Sequence, residues 1–297
     1  MAIFDWLGIS PQGLLAQLLL GLINGLFYAL LSLGLAIIFG LLNVINFAHG
    51  ALYMMGAYAA WVLLTRFGVG YWWALALGPL AVGMIGIVIE PLVLRRLYRL
   101  DHLYGLLATF GLALVIEGLF INWFGVSGDN YDVPDLLSGG VRLGFMYLPY
   151  YRVWVIAASI AMCLATWYVI ERTRLGSYLR AATENPRLAQ AFGINVPLML
   201  TLTFGYGVAL AGLAGVLAAP VQAITPVMGA NTIIVVFAVV VIGGMGSIMG
   251  AIVSGVALGV IEGLTKAFYP VGSAVVIFVI MAIVLLLRPA GLLGAEK

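Results

Sequence analysis

Long apolar tracts, each of a length that can cross a lipid bilayer, constrain this chain more than any other feature. They lie near residues 12–42, 51–64, 71–94, 103–125, 152–170, 197–220, 232–262 and 272–287. A transmembrane helix needs about 20 apolar residues, and these tracts are continuous, unlike the alternating strands of a membrane barrel. Only 8% of the 297 residues are charged. The sequence therefore predicts an all-α membrane protein, a polytopic helical bundle of about eight spans.

The charged loops predict how the bundle is oriented. Two basic loops, around 95–99 and over 171–196, are separated by an acidic loop over 126–151, with one apolar tract on each side of the acidic loop. Cytoplasmic loops of membrane proteins are enriched in Lys and Arg. We therefore expect the loop 171–196 to be cytoplasmic and the loop 126–151, which carries Asp129 and Asp132, to be external.

Two apolar tracts, 32–64 and 232–262, are interrupted in the middle. The interruptions read NVINFAHG and GGMGS. Each tract forms either one long tilted helix or a broken helix, whose irregular backbone must be buried in protein or line a cavity because lipid cannot satisfy the freed amides. Broken or re-entrant helices at matching places in two halves of a chain are typical of a transport pathway.

The residues at these interruptions are candidate pathway residues, because a polar group at membrane depth is costly unless it is paired. They are Asn46, Phe47, His49, Gly243, Gly244 and Ser247. Some have a structural alternative: the His49 ring could donate to a freed backbone carbonyl beside the break, and the glycines could let helices pack closely. The i+4 spacing of Gly255, Gly259 and Gly263 favours packing for those three residues.

The loop 171–196 contains the signals of a short helix. Asn185 followed by Pro186 is typical of an N-cap with proline in the first turn, and Gly193 is typical of a left-handed stop. The apolar side of this helix consists of Leu188, Ala189 and Phe192. Two interpretations are open: an amphipathic helix resting on lipid, or a knob that docks into a cytoplasmic partner.

Carboxylates within the apolar tracts are a further set of candidates. Glu117 is the deepest of them, and Glu262 lies near the end of its tract. An ionisable group at such a place is a functional-site hypothesis by default; its structural alternative is a neutral or hydrogen-bonded carboxyl that faces the bundle interior. Glu90 and Pro91 are interpreted as a helix end, because the residue before a proline tends to leave the helical conformation.

No catalytic apparatus is recognisable in the sequence. The chain lacks the G-x-x-x-x-G-K-[ST] pattern, and its only lysines are Lys266 and Lys297, so it cannot cradle nucleotide phosphates as a P-loop does. The single cysteine, Cys163, excludes a cysteine metal cluster. A net charge of +2 is too small to imply nucleic-acid binding. We expect no enzymatic activity, no metal and no bound cofactor in this chain.

Three segments, taken together, resemble the Liv-type permease family of bacterial ABC importers, and within it the H-type subunit. They are GLINGLFYALLSLGLAIIFGLLNVINFAHGALYMMGAYAAW, RTRLGSYLRAATENPRLAQAFGINV and VVIGGMGSIMGAIVSGVALG. The resemblance covers nearly the whole chain. It implies an ABC importer permease fold, with a single transmembrane permease domain over 1–297, in the bacterial inner membrane.

The resemblance also implies a substrate and partners. The solute would be a branched-chain amino acid or a related small amino acid or amide. The partners would be a second, M-type permease subunit, two cytoplasmic ATPase subunits that bind ATP-Mg, membrane lipid, and an external solute-binding protein that the loop 126–151 helps to dock. An ion-coupled secondary transporter remains the alternative, supported by the broken helices and Glu117.

Coupling to the ATPases is carried over from the family to the loop 171–196. The coupling residues would be Arg180, Glu184, Asn185, Pro186, Arg187, Gln190 and Gly193. Arg180 stands where the general importer motif has Glu. The resemblance implies that the short helix that begins after Asn185 is the coupling helix.

Overall fold

The computed structural model describes residues 10–42, 44–98 and 101–294 and is mostly helical. The helices are α1 Pro11–Leu42, α2 Ala48–Phe67, α3 Tyr71–Leu97, α4 His102–Phe124, α5 Tyr150–Arg172, α6 Arg174–Glu184, α7 Pro186–Ala191, α8 Val196–Ala218, α9 Met228–Gly243, α10 Ile248–Phe268 and α11 Ser273–Leu287. Two strands, β1 Gly140–Arg142 and β2 Tyr147–Pro149, pair antiparallel with Val141 opposite Leu148. They form a hairpin within the loop that is predicted to be external.

Seven of the described helices are long and apolar enough to cross a membrane, and α9 is a shorter apolar helix of 16 residues. This confirms the predicted all-α, multi-pass architecture with roughly the predicted number of spans. The burial of these helices differs widely. Of an 18-residue apolar stretch in each helix, 78% is buried in α8 but only 17% in α4. The exposed apolar surface of α4 is therefore available to lipid or to another protein.

Both predicted interruptions break the helix. The described residues 44–47 lie between α1, which has 32 residues, and α2, which has 20. The second break, at 244–247, separates α9 from α10. The alternative of one long tilted helix is therefore wrong for both tracts. The first break also lies between two long helices, since residues 32–42 belong to the helix that begins at Pro11.

Helix α3 continues through Glu90 and Pro91, so the prediction that it ends there is wrong. Residues Glu90–Leu94 form a π turn, in which the Arg95 N–H donates to the Glu90 carbonyl. A proline removes one backbone donor, and its ring collides with the carbonyl four residues earlier. The helix nevertheless runs on through this π turn to Leu97.

The fold divides into two compact units, each described by itself. Unit A contains the described parts of Met1–Ser32, Val133–Cys163 and Val235–Lys297, and unit B contains those of Leu33–Asp132 and Leu164–Ile234. In unit B, α8 packs against both α2 and α3, and glycines bring the backbones together: a Cβ on Gly56 would lie 2.6 Å from the Gly212 Cα.

In unit A, α10 packs against α1 through its row of glycines. A Cβ on Gly255 would lie 2.7 Å from the Ala29 Cα, and one on Gly263 would lie 2.9 Å from the Gly21 Cα. A Cβ on Gly259 would overlap the Gly25 backbone. Small residues permit this close approach of membrane helices, so the predicted packing role of these glycines is confirmed.

Candidate functional site

The first break is held by a threonine from α4. The Phe47 N–H donates to the Thr109 hydroxyl at 3.2 Å, and the Thr109 hydroxyl lies 3.0 Å from the Ile45 carbonyl, to which it donates. Thr109 is completely buried. One side chain thus replaces two of the partners that the helix would have supplied, which is the condition for irregular backbone at membrane depth.

Asn46 and His49 are both buried at this break. The His49 ring lies against α1, where a Cβ on Gly34 would be 3.0 Å from the His49 Cε1; the ring therefore fills the space that this glycine leaves. Asn46 is 1% exposed, and neither atom of its amide group has a hydrogen-bond partner within the described residues. Because buried polar groups are generally paired, Asn46 stays a candidate for contact with a solute.

A cavity of about 220 Å³ lies beside the first break in unit B. Side chains from α2, α4 and α9 line it, and the rings of Phe47 and Phe110 form one wall, edge to face with centroids 6.3 Å apart. Among the described residues of this mostly apolar lining, Glu117 supplies the one ionisable side chain. Over the described part of the chain, its carboxylate has no hydrogen-bond or ion-pair partner.

The carboxylate of Glu262, by contrast, is paired within unit A. The Lys266 ammonium forms an ion pair with it, and the Tyr28 hydroxyl donates to it at 3.0 Å. This arrangement favours the structural alternative for Glu262, since a carboxylate at membrane depth is stabilised when it is paired.

The second break depends on left-handed glycines and a serine cap. Gly244 and Gly246 have φ values of +103° and +88°, which favour glycine over residues with a Cβ. The Ser247 hydroxyl accepts a hydrogen bond from the Gly250 N–H at 3.0 Å and so caps the start of α10. Ser247 therefore has a local structural role.

The C-terminal segment 290–294 closes the other side of this break. The Leu292 N–H donates to the Ile242 carbonyl at 2.8 Å, and the Leu293 N–H donates to the Gly243 carbonyl at 3.0 Å. A Cβ on Gly244 would lie 2.6 Å from the Gly294 Cα. The glycines of the second break are thus required by backbone packing, which supports the packing alternative for Gly243 and Gly244.

The short helix predicted in the loop 171–196 is confirmed as α7. The Asn185 side chain accepts a hydrogen bond from the Leu188 N–H at 3.0 Å, and Pro186 occupies the first turn. Gly193 follows with φ of +83°. Local signals therefore set both ends of this helix.

The three residues on the apolar side of α7 differ in burial. Ala189 is buried in a small cluster with Ala182 and Val196. Leu188 and Phe192 are 54% and 80% exposed. One apolar residue thus fixes α7 to its own chain, and the other two protrude.

The predicted coupling residues lie in two different surroundings. Arg187, Gln190 and Glu184 are exposed around α7. Arg180 instead lies on α6, donates to the Ile170 carbonyl at 3.0 Å and lies 3.5 Å from the Glu171 carboxylate. Arg180 therefore joins α6 to the end of α5.

A buried polar network connects α3 to the start of α8. Glu90 is completely buried, and its carboxylate binds the Arg95 guanidinium at 2.7 Å and accepts from the Thr201 hydroxyl at 2.7 Å. The Tyr98 hydroxyl donates to it at 3.0 Å. Burial, followed by the charge of Glu90, raises the pKa of Tyr98 above its usual range, so the phenol stays neutral and able to donate. Thr201, the member of this network on α8, lies shortly after the loop 171–196 in the chain.

Comparison with known proteins identifies the family. The family model described as the permease component of branched-chain amino acid transport systems matches residues 17–286. The chain belongs to this permease family. This permease is 32% identical to the high-affinity branched-chain amino acid transport system permease protein BraD of Pseudomonas aeruginosa, over 95% of its own length and 96% of BraD.

Two further relatives are permease proteins of the same kind of transport system. The permease is 30% identical to LivH of Escherichia coli K12, over 95% of its own chain and 96% of LivH. It is 26% identical to LivM of Salmonella typhimurium, over 91% of its own chain and 68% of LivM. The H-type relative is thus matched over nearly its full length.

Sequence reasoning missed the residues that hold these sites in place. The permease has Asn46, Phe47 and His49 at one break and Gly243, Gly244 and Ser247 at the other, as predicted. The sequence did not predict the role of Thr109 at the first break or the pairing of Glu90 with Thr201. Their only signal is a polar residue inside an apolar tract, which does not reveal its partner.

Proposed function

We propose that this chain is the membrane-spanning permease subunit of an ATP-driven importer, which carries branched-chain amino acids or a related small amino acid or amide into the cytoplasm. The match of residues 17–286 to the permease family carries this proposal. The names of BraD and LivH, which are branched-chain amino acid permease proteins, support the choice of solute.

The chain would work within an assembly in the bacterial inner membrane. Its sequence has no P-loop, so ATP-Mg would bind to two separate cytoplasmic ATPase subunits. The similarity to LivM supports a second, related permease as the other membrane subunit. An external binding protein would select the solute and dock in part on the loop 126–151.

Coupling would pass through α7. The protruding side chains of Leu188 and Phe192 suit an apolar pocket on an ATPase, because the free energy falls when a partner protein covers exposed apolar groups. Ala189 packs against Val196 at the start of α8, and Thr201 on the same helix binds Glu90. Movement of α7 would therefore reach α8 and α3 through direct contacts.

Purification of the tagged chain from its native membrane in mild detergent tests the proposal. We expect mass spectrometry to identify an ATPase and a second permease in the complex. We also expect proteoliposomes containing this complex to take up leucine only with ATP and the binding protein. Uptake by the chain alone under an ion gradient would contradict the importer and establish the ion-coupled carrier.

A further inference from the structure

We propose that the cavity beside the first break is a subsite for the solute, in which the Glu117 carboxylate binds the ammonium group and the apolar lining contacts an aliphatic side chain. The proposal rests on the proposed function and adds the binding groups to it.

The position of Glu117 favours a cationic partner for its carboxylate. It lies within the candidate span Leu103–Phe124, about 10 Å from the nearer end by the helical rise of 1.5 Å per residue. A carboxylate at such a depth is costly unless it is paired. Glu262 has Lys266 and Tyr28, but Glu117 has no such group over the described part of the chain. The ammonium group of a bound solute would supply that partner.

The chemistry of the cavity defines that molecule. A single carboxylate in a mostly apolar lining complements a solute with one ammonium group and an apolar body. The wall formed by Phe47 and Phe110 offers aromatic surface, and Ile233 lies on α9 in the same lining. The volume of about 220 Å³ is below the roughly 300–1,000 Å³ of drug-sized sites. A small aliphatic amino acid meets these requirements.

The lining explains why binding would be brief. No Lys, Arg or His belongs to the described lining, so the carboxylate of the solute finds no charge of opposite sign there. A pathway site must bind strongly enough for entry and weakly enough for release. One charged contact combined with apolar surface suits a solute that the binding protein delivers and the permease only passes on.

The cavity is also connected to the first break. Thr109, which bonds to the Phe47 N–H, lies on α4 with Phe110 and Glu117. The threonine thus links the break to the helix that carries the carboxylate. Movement of α4 relative to α2 would change the distance between Phe47 and Glu117 and so open or close the subsite.

Photolabelling of the purified complex in proteoliposomes tests this subsite. The probe is a diazirine analogue of leucine, with the cross-linked residues mapped by mass spectrometry. We expect labelling around Phe47, Phe110 and Ile233 in the wild type, with protection by excess leucine. Glu117→Gln should reduce this labelling and leucine uptake at least tenfold, and Glu117→Asp should restore a large part of both. Glu262→Gln, a matched change at a paired carboxylate, should leave the labelling unchanged.

A second pair of variants tests the cavity without altering a charge. Ala230 is exposed and lines the cavity, so Ala230→Phe should fill it and abolish the labelling. Ala165 is an exposed alanine on α5 outside the cavity, and Ala165→Phe should retain the labelling.

Three results would overturn the subsite. If ATP-dependent leucine uptake proceeds but no label falls in the cavity, the subsite is wrong and the importer stands. If Glu117→Gln releases the second permease and keeps the labelling, the carboxylate pairs with that subunit. If the assembled wild-type complex takes up neither leucine nor any other small amino acid or amide, the proposed function fails, and the subsite with it.

Discussion

At the scale of single residues, a few buried polar groups allow irregular backbone inside an apolar fold. Thr109 satisfies the backbone at the first break, and the carboxylate of Glu90 is surrounded by three donors at the π turn. In both places the polar group belongs to a mostly apolar helix. Each should therefore affect stability far more than an exposed residue of the same type.

Thr109→Val tests the support of the first break. The change keeps the shape of the side chain but leaves the Phe47 N–H and the Ile45 carbonyl without their partner, and a buried unsatisfied group costs about 1–3 kcal/mol. We expect a lower midpoint in the thermal unfolding of the purified chain. Thr109→Ser, which keeps the hydroxyl, should retain most of the wild-type stability. Equal midpoints for the Val variant and the wild type would contradict this role.

The buried ion pair predicts an asymmetry between its two partners. Arg95→Met leaves the fully buried Glu90 without its cation, whereas Glu90→Gln leaves an arginine that is 40% exposed and can turn towards water. Removing one partner of a buried pair costs up to about 3–5 kcal/mol; the hydroxyls of Thr201 and Tyr98 reduce that cost here. We expect Arg95→Met to lower the unfolding midpoint more than Glu90→Gln does. The reverse order would show that Glu90 is not the group that needs compensation.

At the scale of elements, α7 combines an anchor with an exposed apolar surface. Ala189 holds the helix on its own chain, and Leu188 and Phe192 point away from that contact. The two interpretations of the sequence, lipid contact and docking, therefore differ in what covers these two side chains.

Phe192→Ser separates docking from folding. Because Phe192 is 80% exposed, the change should leave the unfolding midpoint of the isolated chain within a degree or two. It should nevertheless reduce the amount of ATPase that co-purifies with the chain several-fold. Ala189→Leu should instead disturb the packing against Val196 and lower the midpoint. Unchanged recovery of the ATPase with Phe192→Ser would exclude this residue from the docking surface.

The contact of α10 with α1 depends on the absence of side chains. At Gly259 any Cβ would overlap the Gly25 backbone, whereas a Cβ on Gly118 of α4 would have no atom within 4 Å. Gly259→Leu should therefore separate the two helices, at a cost of about 1–3 kcal/mol or more, and lower the unfolding midpoint. Gly118→Leu is the matched control and should keep it. Similar midpoints for both variants would contradict the close approach.

At the scale of the whole molecule, the chain is a multi-pass membrane protein whose loops differ in charge. The basic loop carries α6 and α7, and the acidic loop carries the β1–β2 hairpin. One helix, α5, runs between these two loops. The two loops should therefore lie on opposite sides of the membrane.

Cysteine labelling tests this orientation. Ser138 and Gln190 are both exposed, and the natural Cys163 is buried, so it should give little background. In intact cells a membrane-impermeant maleimide should label Ser138→Cys, and it should label Gln190→Cys only after the membrane is opened. The opposite pattern would reverse the predicted orientation and remove α7 from the reach of a cytoplasmic ATPase.

The sequence by itself determined the helical membrane fold, the positions of the two interruptions and the ends of α7, and the structure decided that both interruptions break the helix. These properties follow from signals within a few neighbouring residues, such as apolar length and the Asn185–Pro186 cap. The resemblance in the INFAHG and GGMGS segments likewise identified the family before any tertiary contact was known.

Only the tertiary structure decided which polar groups are paired. Glu90 and Thr201 are 111 residues apart, and Tyr28 and Glu262 are 234 residues apart, so no local pattern could show these two contacts, whereas Lys266 lies one helical turn after Glu262 and is a local partner. The structure also shows that the helix continues through Glu90 and Pro91, where the hydroxyl of the distant Thr201 binds the buried carboxylate. Burial and pairing depend on the packing of distant helices, whereas helix formation depends on neighbours in the chain.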